Sequence, residues 1–318
     1  MKAVTADEMR QIDRHTIETV GVPGEVLMAQ AGRAVFGEIH ARYGSPRRVH
    51  VVCGCGNNGG DGFVIAYLLA NAGAGVEAYL VGDEARMSDT SKIFYRACVN
   101  SSISIKAVSD ARSAAGIGEC DLVVDSLFGT GFTGAPRGVA AEVIASINAG
   151  GAIVVAVDLP SGLPSDGEAP AGGVVKADVT VTMGLPKISL VTFPGKRFAG
   201  EVVVADIGFP QSLTESGDLK ADLVDAAYAA RSVRVKRDVE SYKNSVGQLL
   251  IVGGFDGMEG AAMMTAMAAF ECGIGLGTLL TTPGARDAIA GRIPELITAS
   301  IPGFPPDEGD PRLRDIGE

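Results

Sequence analysis

Short apolar segments alternate with glycine-rich turns and helical segments along the first two thirds of the chain. Continuous apolar strands separated by helices are typical of a parallel sheet covered on both faces, because a strand buried on both sides has no polar face. The sequence therefore predicts an α/β fold with a mostly parallel sheet. The predicted strands are residues 49–53, 76–81, 103–108, 122–124, 153–157, 179–182 and 202–205.

Helices are predicted before the first strand and between the strands. Thr5 and Glu8 have the spacing of a capping box, in which each side chain bonds the backbone N–H of the other residue. An apolar stripe follows, as expected for a helix that packs on one side. Further helices are predicted over residues 25–41, 63–71 and 88–99.

The regular pattern breaks between residues 209 and 221, where proline, serine, glycine and aspartate cluster. A new strand–helix–strand pattern then begins, so two domains are predicted, at residues 1–215 and 222–318. The tail, residues 302–318, is rich in proline, glycine and charge and is not expected to pack. The predicted elements of the second domain are residues 248–252, 259–271 and 277–281.

The net charge of −11 disfavours nucleic acid and anionic membranes as partners, because phosphate groups recruit lysine and arginine. It does not exclude an anionic nucleotide, which backbone N–H groups bind without side-chain charge. No uncharged apolar run reaches 18 residues, and residues 1–8 lack the layout of a signal peptide. Five scattered cysteines suit a reducing, cytoplasmic location, and with three histidines and no second close cysteine pair, zinc is not expected.

A glycine-rich segment with polar side chains follows the first predicted strand. Residues 54–62 read G-C-G-N-N-G-G-D-G and contain a G-x-G-x-x-G pattern, which can hold a phosphate at the N-terminus of the next helix. Ordinary dinucleotide loops keep the intervening positions small or apolar, whereas Asn57, Asn58 and Asp61 offer hydrogen-bonding or cation-binding groups. The alternative is that asparagine and glycine only provide turn conformations.

Two aspartates follow later strands of the predicted sheet. Asp125 comes directly after residues 122–124, and Asp158 directly after residues 153–157. Open α/β sheets bind ligands at the carboxyl ends of their strands. Asn58, Asp125 and Asp158 could each be a helix cap, but three such residues at equivalent strand ends favour one shared site.

Five motifs in residues 1–210 together resemble one known family. They read N-N-G-G-D-G, V-D-S-L-F-G-T-G, D-L-P-S-G, T-M-G-L-P-K and G-E-V-V-V-A-D-I-G, in this order. This combination resembles the NAD(P)H-hydrate epimerase family, the YjeF N-terminal domain. The resemblance implies a Rossmann-like three-layer αβα sandwich, a homodimer, and an isomerase of nicotinamide nucleotide repair. Its substrates would be NADHX and NADPHX, the hydrated forms of the reduced cofactors.

The resemblance also implies roles for individual residues. Asp158 would contact the nicotinamide end of the substrate, and Lys187 matches a lysine position of the family. A potassium ion (K+) would be coordinated by Asn58, Asp125 and Ser161. The substrate would be held by Asn57, Asn58, Gly59, Gly60, Asp61, Gly129, Thr130, Gly131, Phe132, Thr133, Gly134, Ala135 and Asp158.

The chemistry of such an epimerase fits these groups. Inverting the hydroxyl-bearing carbon of a hydrated dihydronicotinamide requires loss and return of water, or ring opening and closure. Either route needs proton transfer and stabilisation of an iminium-like cation, and a carboxylate beside the ring serves both needs. The hypothesis is that Asp158 is this group and that Lys187 positions it or relays a proton. The alternative for Lys187 is a solvated surface lysine.

The second domain resembles the start of an ADP- or ATP-dependent NAD(P)H-hydrate dehydratase, which is a ribokinase-like domain. The motifs Y-K-N-S-V-G, I-V-G-G, G-A-A and P-E-L-I-T carry this resemblance. Tyr242 stands where that family usually has histidine, and its glycine-rich nucleotide loop and catalytic aspartate have no counterpart in the sequence. This domain is therefore expected to be a truncated fragment without dehydratase (lyase) activity.

Two other functions are weighed against the epimerase. A non-catalytic scaffold module of the same fold acts in mRNA decapping, but such a module is expected to have lost some of Asn58, Asp125 and Asp158, which this chain retains. A nicotinamide dehydrogenase is disfavoured by the polar phosphate loop and by the lack of a convincing hydride-transfer histidine. The epimerase is the favoured function.

Overall fold

The computed structural model describes residues 1–232 and 238–301. The chain forms two compact units, Met1–Tyr228 and Ala229–Glu318. The division therefore lies after the linker predicted from composition, because the short strand at Ala221–Asp222 still pairs with the N-terminal strand of the first unit. The expectation that the tail at residues 302–318 does not pack concerns residues outside the described ranges.

Residues 1–232 contain most of the regular structure. The strands are β1 (Lys2–Ala3), β2 (Arg48–Cys53), β3 (Gly75–Val81), β4 (Ser104–Val108), β5 (Leu122–Ser126), β6 (Ile153–Val157), β7 (Val179–Met183), β8 (Glu201–Ala205) and β9 (Ala221–Asp222). The α-helices are α1 (Ala6–His15), α2 (Gly24–Tyr43), α3 (Asn57–Asn71), α4 (Asp89–Asn100), α5 (Ala111–Ala114), α6 (Val139–Ala149), α7 (Ile188–Val191), α8 (Lys196–Ala199), α9 (Gln211–Thr214) and α10 (Ala226–Ser232). A π-helical turn, Thr16–Val20, follows α1, and a 3₁₀ turn, Glu84–Arg86, follows β3.

Seven parallel strands form the central sheet, in the order β4-β3-β2-β5-β6-β7-β8. The chain starts in the middle at β2, runs to one edge through β3 and β4, and then returns to the other side of β2 with β5. The order of the strands therefore reverses between β2 and β5. In open α/β sheets, a crevice for ligands lies at such a reversal, outside the carboxyl ends of the strands.

Helices cover both faces of the sheet, as the apolar strands predicted. Val51 and Val124 point to one face and pack in a core with α2, α3 and α4, whereas the neighbouring residues Val52 and Val123 point to the other face and pack with α6. Successive side chains of a strand alternate between its two faces, so strands buried on both sides need apolar residues at every position. The α/β three-layer fold is confirmed.

The N-terminal segment is anchored to the loop that follows β7. Val4 lies beside the loop after β7: its N–H donates to Pro186 O at 2.9 Å, and its carbonyl accepts from Ile188 N–H at 3.0 Å. The predicted capping box of α1 is present, with Thr5 and Glu8 bonding each other's backbone. The Ala6 N–H also donates to the carboxylate of Asp166 at 2.6 Å. These contacts fix the position of α1 relative to the ends of β6 and β7.

The prediction was wrong about where α3 begins. The glycine-rich motif predicted a loop as far as residue 62, but the helix starts at Asn57, after Gly56 as its N-cap. Two consecutive glycines disfavour a helix on propensity. At Gly59 packing requires glycine, because a Cβ there would stand 1.9 Å from the carbonyl oxygen of Gly54. At Gly60 a Cβ would stand 2.5 Å from the Met28 methyl group, which is the end of a flexible side chain.

The second unit, taken by itself, is a small α/β layer. Its sheet has the order β10-β11-β12 and is parallel. Helix packing buries one side, whereas Leu250, Val252 and Ile297 are exposed. The elements are β10 (Gln248–Val252), α11 (Glu259–Glu271), β11 (Leu276–Thr281), α12 (Pro283–Ile289) and β12 (Leu296–Ser300), of which α12 and β12 were not predicted. Within the two described ranges, no helix has the length and apolar character needed to cross a bilayer.

Candidate active site

A cavity of about 760 Å³ opens at the carboxyl ends of β2, β5 and β6, where the order of the strands reverses. This volume is within the range of pockets that hold small molecules and cofactors. One wall is apolar and comes largely from the N-terminal helices. Most of the polar lining groups come from other elements, although Arg10 and Asp13 lie on the same helix as Met9. The apolar wall contains Met9, Ile17, Leu27, Met28, Ala31, Ile207 and Phe209.

The N-terminus of α3 points into this cavity. Gly54, Gly56, Asn57 and Asn58 all line it, and no side chain caps the helix at Gly56. The first N–H groups of a helix have no partner within the helix and carry a partial positive charge, so they bind anions. The phosphate-binding role predicted for this motif is therefore geometrically available, through the first turn of a helix rather than through a loop.

A buried ion pair forms the floor of the cavity. Lys187 Nζ lies 2.5 Å from Asp158 Oδ1, and the lysine side chain is 1% exposed. The ammonium group also donates to Thr182 Oγ1 and to Met183 O, both at 3.0 Å. Both charged residues line the cavity. The alternative of a solvated surface lysine at position 187 is therefore wrong, because the chain after β7 turns this side chain inward.

Asp158 is held in its ionised form by this environment. Burial by itself would raise the pKa of Asp158, but the charge and hydrogen bond of Lys187, together with the hydroxyl and N–H of Thr130, outweigh burial and lower it. The Asp158 backbone has φ of +68°, a left-handed conformation that aspartate tolerates better than most residues but that still costs free energy. Such strain is typical of functional positions.

Two further carboxyl groups line the same cavity, from Asp13 on α1 and Asp61 on α3. Burial, followed by the negative charge of Asp158, raises the pKa of Asp13 above its ordinary value. Burial, followed by the charges of Asp158 and Asp13, raises the pKa of Asp61 well above its ordinary value. The cavity thus contains carboxyl groups whose pKa values are driven apart, which is the arrangement by which enzymes separate an acid from a base.

Asp125 lies behind the cavity wall and not on it. Its side chain is fully buried at the end of β5, where Ser161 donates its N–H to Oδ2 at 2.8 Å and its hydroxyl to Oδ1 at 2.6 Å. Burial raises the pKa of Asp125 to about 6, although the hydrogen bonds from Ser161 act in the opposite direction. The Ser161 oxygen also lies 3.4 Å from Phe128 O.

The oxygen atoms around Asp125 suit a hard monovalent cation. One carboxylate, one hydroxyl and one carbonyl oxygen are grouped here, and hard cations take oxygen ligands. Asn58 packs against Gly129, and its Nδ2 is buried without a hydrogen-bond partner. A half-turn of this amide would exchange Nδ2 for Oδ1. Across residues 1–232 and 238–301, no three histidine, cysteine or acidic side chains form a cluster that could hold a metal ion.

Most of the residues predicted from the motifs meet in the cavity. Two of the exceptions are Gly59 and Gly60, which are buried in helix packing, and two are Asp125 and Ser161, which lie behind the wall. Gly134 and Ala135 lie outside the lining as well. The predicted residues that line it are Asn57, Asn58, Asp61, Gly129, Thr130, Gly131, Phe132, Thr133, Asp158 and Lys187.

The contribution of the N-terminal helices was not predicted. Met9, Asp13 and Ile17 all line the cavity and are four residues apart, so they lie on one face of the helical segment. The signal available in the sequence was this acidic residue within an apolar stripe. Arg10 and Arg86 at the cavity were also missed.

Comparison with known proteins identifies the family. The sequence model of the family described as YjeF-related protein N-terminus matches residues 24–189 of this chain. NAD(P)H-hydrate epimerase of Limosilactobacillus fermentum is 42% identical over 205 residues, which cover 64% of this chain and 96% of that protein. The bifunctional NAD(P)H-hydrate repair enzyme Nnr of Moorella thermoacetica is 38% identical over 333 residues, which cover 100% of this chain and 62% of that protein.

A solved structure agrees with the fold. The crystal structure of the yeast protein ynu0 superimposes with a TM-score of 0.51 at 22% identity, covering 59% of this chain and 82% of that one. The chain spans about 60% of the length of its bifunctional relatives, 62% for Moorella thermoacetica and 57% for Thermofilum pendens. The chain belongs to the YjeF N-terminal family, whose relatives named here are NAD(P)H-hydrate epimerases and bifunctional NAD(P)H-hydrate repair enzymes.

Proposed function

We propose that this chain interconverts the R and S forms of hydrated NADH and NADPH, in a reducing cytoplasm. The observation that carries the proposal is the buried Asp158–Lys187 pair in the same cavity as the uncapped N-terminus of α3. This arrangement places an ionised carboxylate and an anion-binding helix end within one pocket. The five cysteines are all free thiols, in agreement with the proposed location.

The cavity offers a suitable binding region for each part of the proposed substrate. The phosphates would lie at the first turn of α3, where backbone N–H groups compensate for the acidic balance of the chain. The hydrated ring would lie at Asp158, whose fixed negative charge stabilises a cationic iminium intermediate as it forms. The apolar side chains of the cavity lower the polarity around this charge, which strengthens the interaction.

The test is catalysed interconversion approached from both directions. Each epimer of NADHX is isolated by chromatography and incubated separately with the chain, and the two epimers are quantified over time. We expect both incubations to reach the same ratio, faster than without protein. Unchanged epimers in the presence of the folded chain would contradict the proposal and favour a non-catalytic scaffold of the same fold.

We also propose that K+ binds at Asp125, Ser161 and Asn58. The grouped oxygens and the unpartnered amide support this site. When bound, the cation would supply a positive charge that balances Asp125 and holds the loop after β5 against the N-terminus of α3. The substrate-binding residues Gly129 and Thr130 lie on that loop, so the cation would act on binding through their position.

The potassium prediction concerns Asn58→Ala. We expect this variant to raise the K+ concentration for half-maximal epimerisation by about tenfold or more, because one oxygen ligand is lost. The measurement is the interconversion rate as KCl replaces tetramethylammonium chloride at constant ionic strength. Asn57→Ala removes the neighbouring amide, which accepts a bond from Ser88, and should leave the half-saturating concentration unchanged. Equal K+ dependence in both variants would count against the site.

No activity is proposed for the second unit, and the absence of dehydratase activity stays a prediction. Tyr242, in place of the histidine of the dehydratase family, supports it. The chain is incubated with the S epimer of NADHX and ATP or ADP, and the formation of NADH is followed by the absorbance band of its reduced nicotinamide ring. Recovery of NADH would contradict this prediction without affecting the epimerase.

The homodimer implied by the resemblance also stays a prediction. Sedimentation analysis measures the mass of the particle in solution and so tests it directly.

A further inference from the structure

Two carboxyl groups in the cavity have no use in the mechanism so far. Asp13 and Asp61 both line it, and neither carboxyl group forms a hydrogen bond or ion pair with another of the described residues. Both residues are half-buried, and polar groups that are partly removed from water usually find a hydrogen-bond partner in the protein. A carboxyl group that is directed into a cavity without a partner is therefore available to a ligand or a proton.

The position of Asp13 is fixed by the contacts of the N-terminal segment. The backbone of Val4 forms hydrogen bonds with Pro186 and Ile188, the two neighbours of Lys187 in the chain. Helix α1 starts two residues after Val4. Asp13 therefore lies on a helix whose start is attached to the same loop that carries Lys187.

The balance of charge in the cavity leaves these two carboxyl groups without a counter-ion. Lys187 is already matched to Asp158 at 2.5 Å. Of the other cations that line the cavity, Arg10 is paired with Asp7 and half exposed, and Arg86 is exposed. The α2 residues that line the cavity carry no charge. A second and third ionised carboxylate would stand beside Asp158 without compensation, so a proton is retained between them.

We propose that Asp13 and Asp61 form the proton-carrying centre of this cavity, distinct in role from the charged Asp158–Lys187 pair. The inference rests on the proposed epimerase function and extends it. Asp61 touches the substrate hydroxyl and transfers the proton, while Asp13 is a positioning residue that keeps Asp61 protonated. The raised pKa of both carboxyl groups is consistent with this division.

The proton balance of the reaction then closes. Asp61 gives its proton to the hydroxyl oxygen of the hydrated ring, the C–O bond breaks with its electron pair on oxygen, and water leaves. The nitrogen lone pair of the ring forms the iminium double bond. Water adds to the opposite face, its oxygen forms the new C–O bond, and its surplus proton goes to the Asp158 carboxylate. Exchange with solvent through the open cavity returns a proton to Asp61 and removes one from Asp158.

The test is the pH dependence of kcat/KM in the variant Asp13→Asn. Activity requires Asp61 protonated, so it falls as pH rises through the pKa of Asp61. Removing the negative charge of Asp13 lowers this pKa, and the alkaline limb of the profile should move to lower pH. We expect about a tenfold loss of kcat/KM on the alkaline side, with a smaller loss at acidic pH. Arg10 and Arg86 are unchanged in this comparison, as are Asp158 and Lys187.

Two matched variants make the result specific. Asp13→Glu keeps the charge and should restore the alkaline limb toward its original position. Glu18→Gln removes an exposed carboxylate from the adjacent turn and should leave the profile unchanged. A profile of Asp13→Asn that superimposes on that of the unmodified chain overturns the inference while the epimerase proposal stands. An unmodified chain without interconversion overturns the epimerase proposal itself.

If Asp13→Asn does not fold, the protonation of Asp61 is tested by a direct titration of the unmodified chain. Carbon NMR of the aspartate carboxyl groups in the unmodified chain reports their protonation without turnover. We expect the Asp61 resonance to titrate above the ordinary aspartate pKa of about 3.9. An Asp61 carboxyl group that titrates at its ordinary value would overturn the inference.

Discussion

Asp158→Asn should lower kcat for epimerisation by about 10²–10⁴-fold, the usual contribution of a positioned acid–base group. Asparagine has nearly the same shape and also tolerates the left-handed backbone conformation of this position, so the variant removes mainly the charge. The measurement is the initial rate of epimer interconversion at saturating substrate. Glu142→Gln, an exposed carboxylate on α6, is the matched control and should retain full activity. Equal rates in both variants would exclude Asp158 from the chemistry.

The same substitution should also destabilise the fold, because it leaves Lys187 buried without its counter-ion. Breaking a buried ion pair by removing one partner costs about 3–5 kcal/mol, whereas removing both partners costs much less. The double variant Asp158→Asn, Lys187→Met should therefore recover much of the free energy of unfolding lost in Asp158→Asn. Denaturant unfolding of the two single variants and the double variant measures this coupling. Strictly additive losses would show that the two charges do not interact.

Gly59→Ala should strongly lower the free energy of unfolding of the first unit. The added Cβ would stand 1.9 Å from the carbonyl oxygen of Gly54, and both partners are backbone, so neither can move as a side chain does. We expect a loss of about 3 kcal/mol in the free energy of unfolding, at the upper end for overpacking. Epimerisation should fall as well, because the first turn of α3 would shift away from its position at the cavity.

Gly56→Ala is the matched control for that variant. It lies in the same motif, but a Cβ there has no neighbour within 4 Å. Its φ of −83° suits any residue. We expect a loss below about 1 kcal/mol, which is the cost of a poorer N-cap. Equal unfolding midpoints for the two alanine variants would show that close approach of the two backbones is not what requires glycine at position 59.

The sheet and the ends of its strands were predictable because the information is local. Each strand is a short apolar run, and Asp158 follows directly after one of them. Asp125 proved to be part of β5, one residue inside the end of the strand. The rule that ligands bind at the carboxyl ends of parallel strands then brought these positions together without knowledge of the strand order.

What could not be predicted depends on contacts between residues distant in sequence. The helix at Asn57 was missed because glycine disfavours helices, and the reason for glycine at position 59 is the backbone of Gly54. The burial of Lys187 depends on Asp158, 29 residues earlier in the chain. Asp13 belongs to the site because β-type contacts at Val4 attach α1 beside Lys187, and nothing in the local pattern of α1 indicates that contact.

The most direct test of the central claim compares the unmodified chain with the double variant Asp158→Asn, Lys187→Met on a single isolated epimer of NADHX. Both proteins are first shown to be folded by circular dichroism and denaturant unfolding, so that only the buried charges differ. We expect rapid conversion to the mixture of both epimers with the unmodified chain, and no conversion above the uncatalysed rate with the double variant. Conversion at equal rates by both proteins would contradict the central claim.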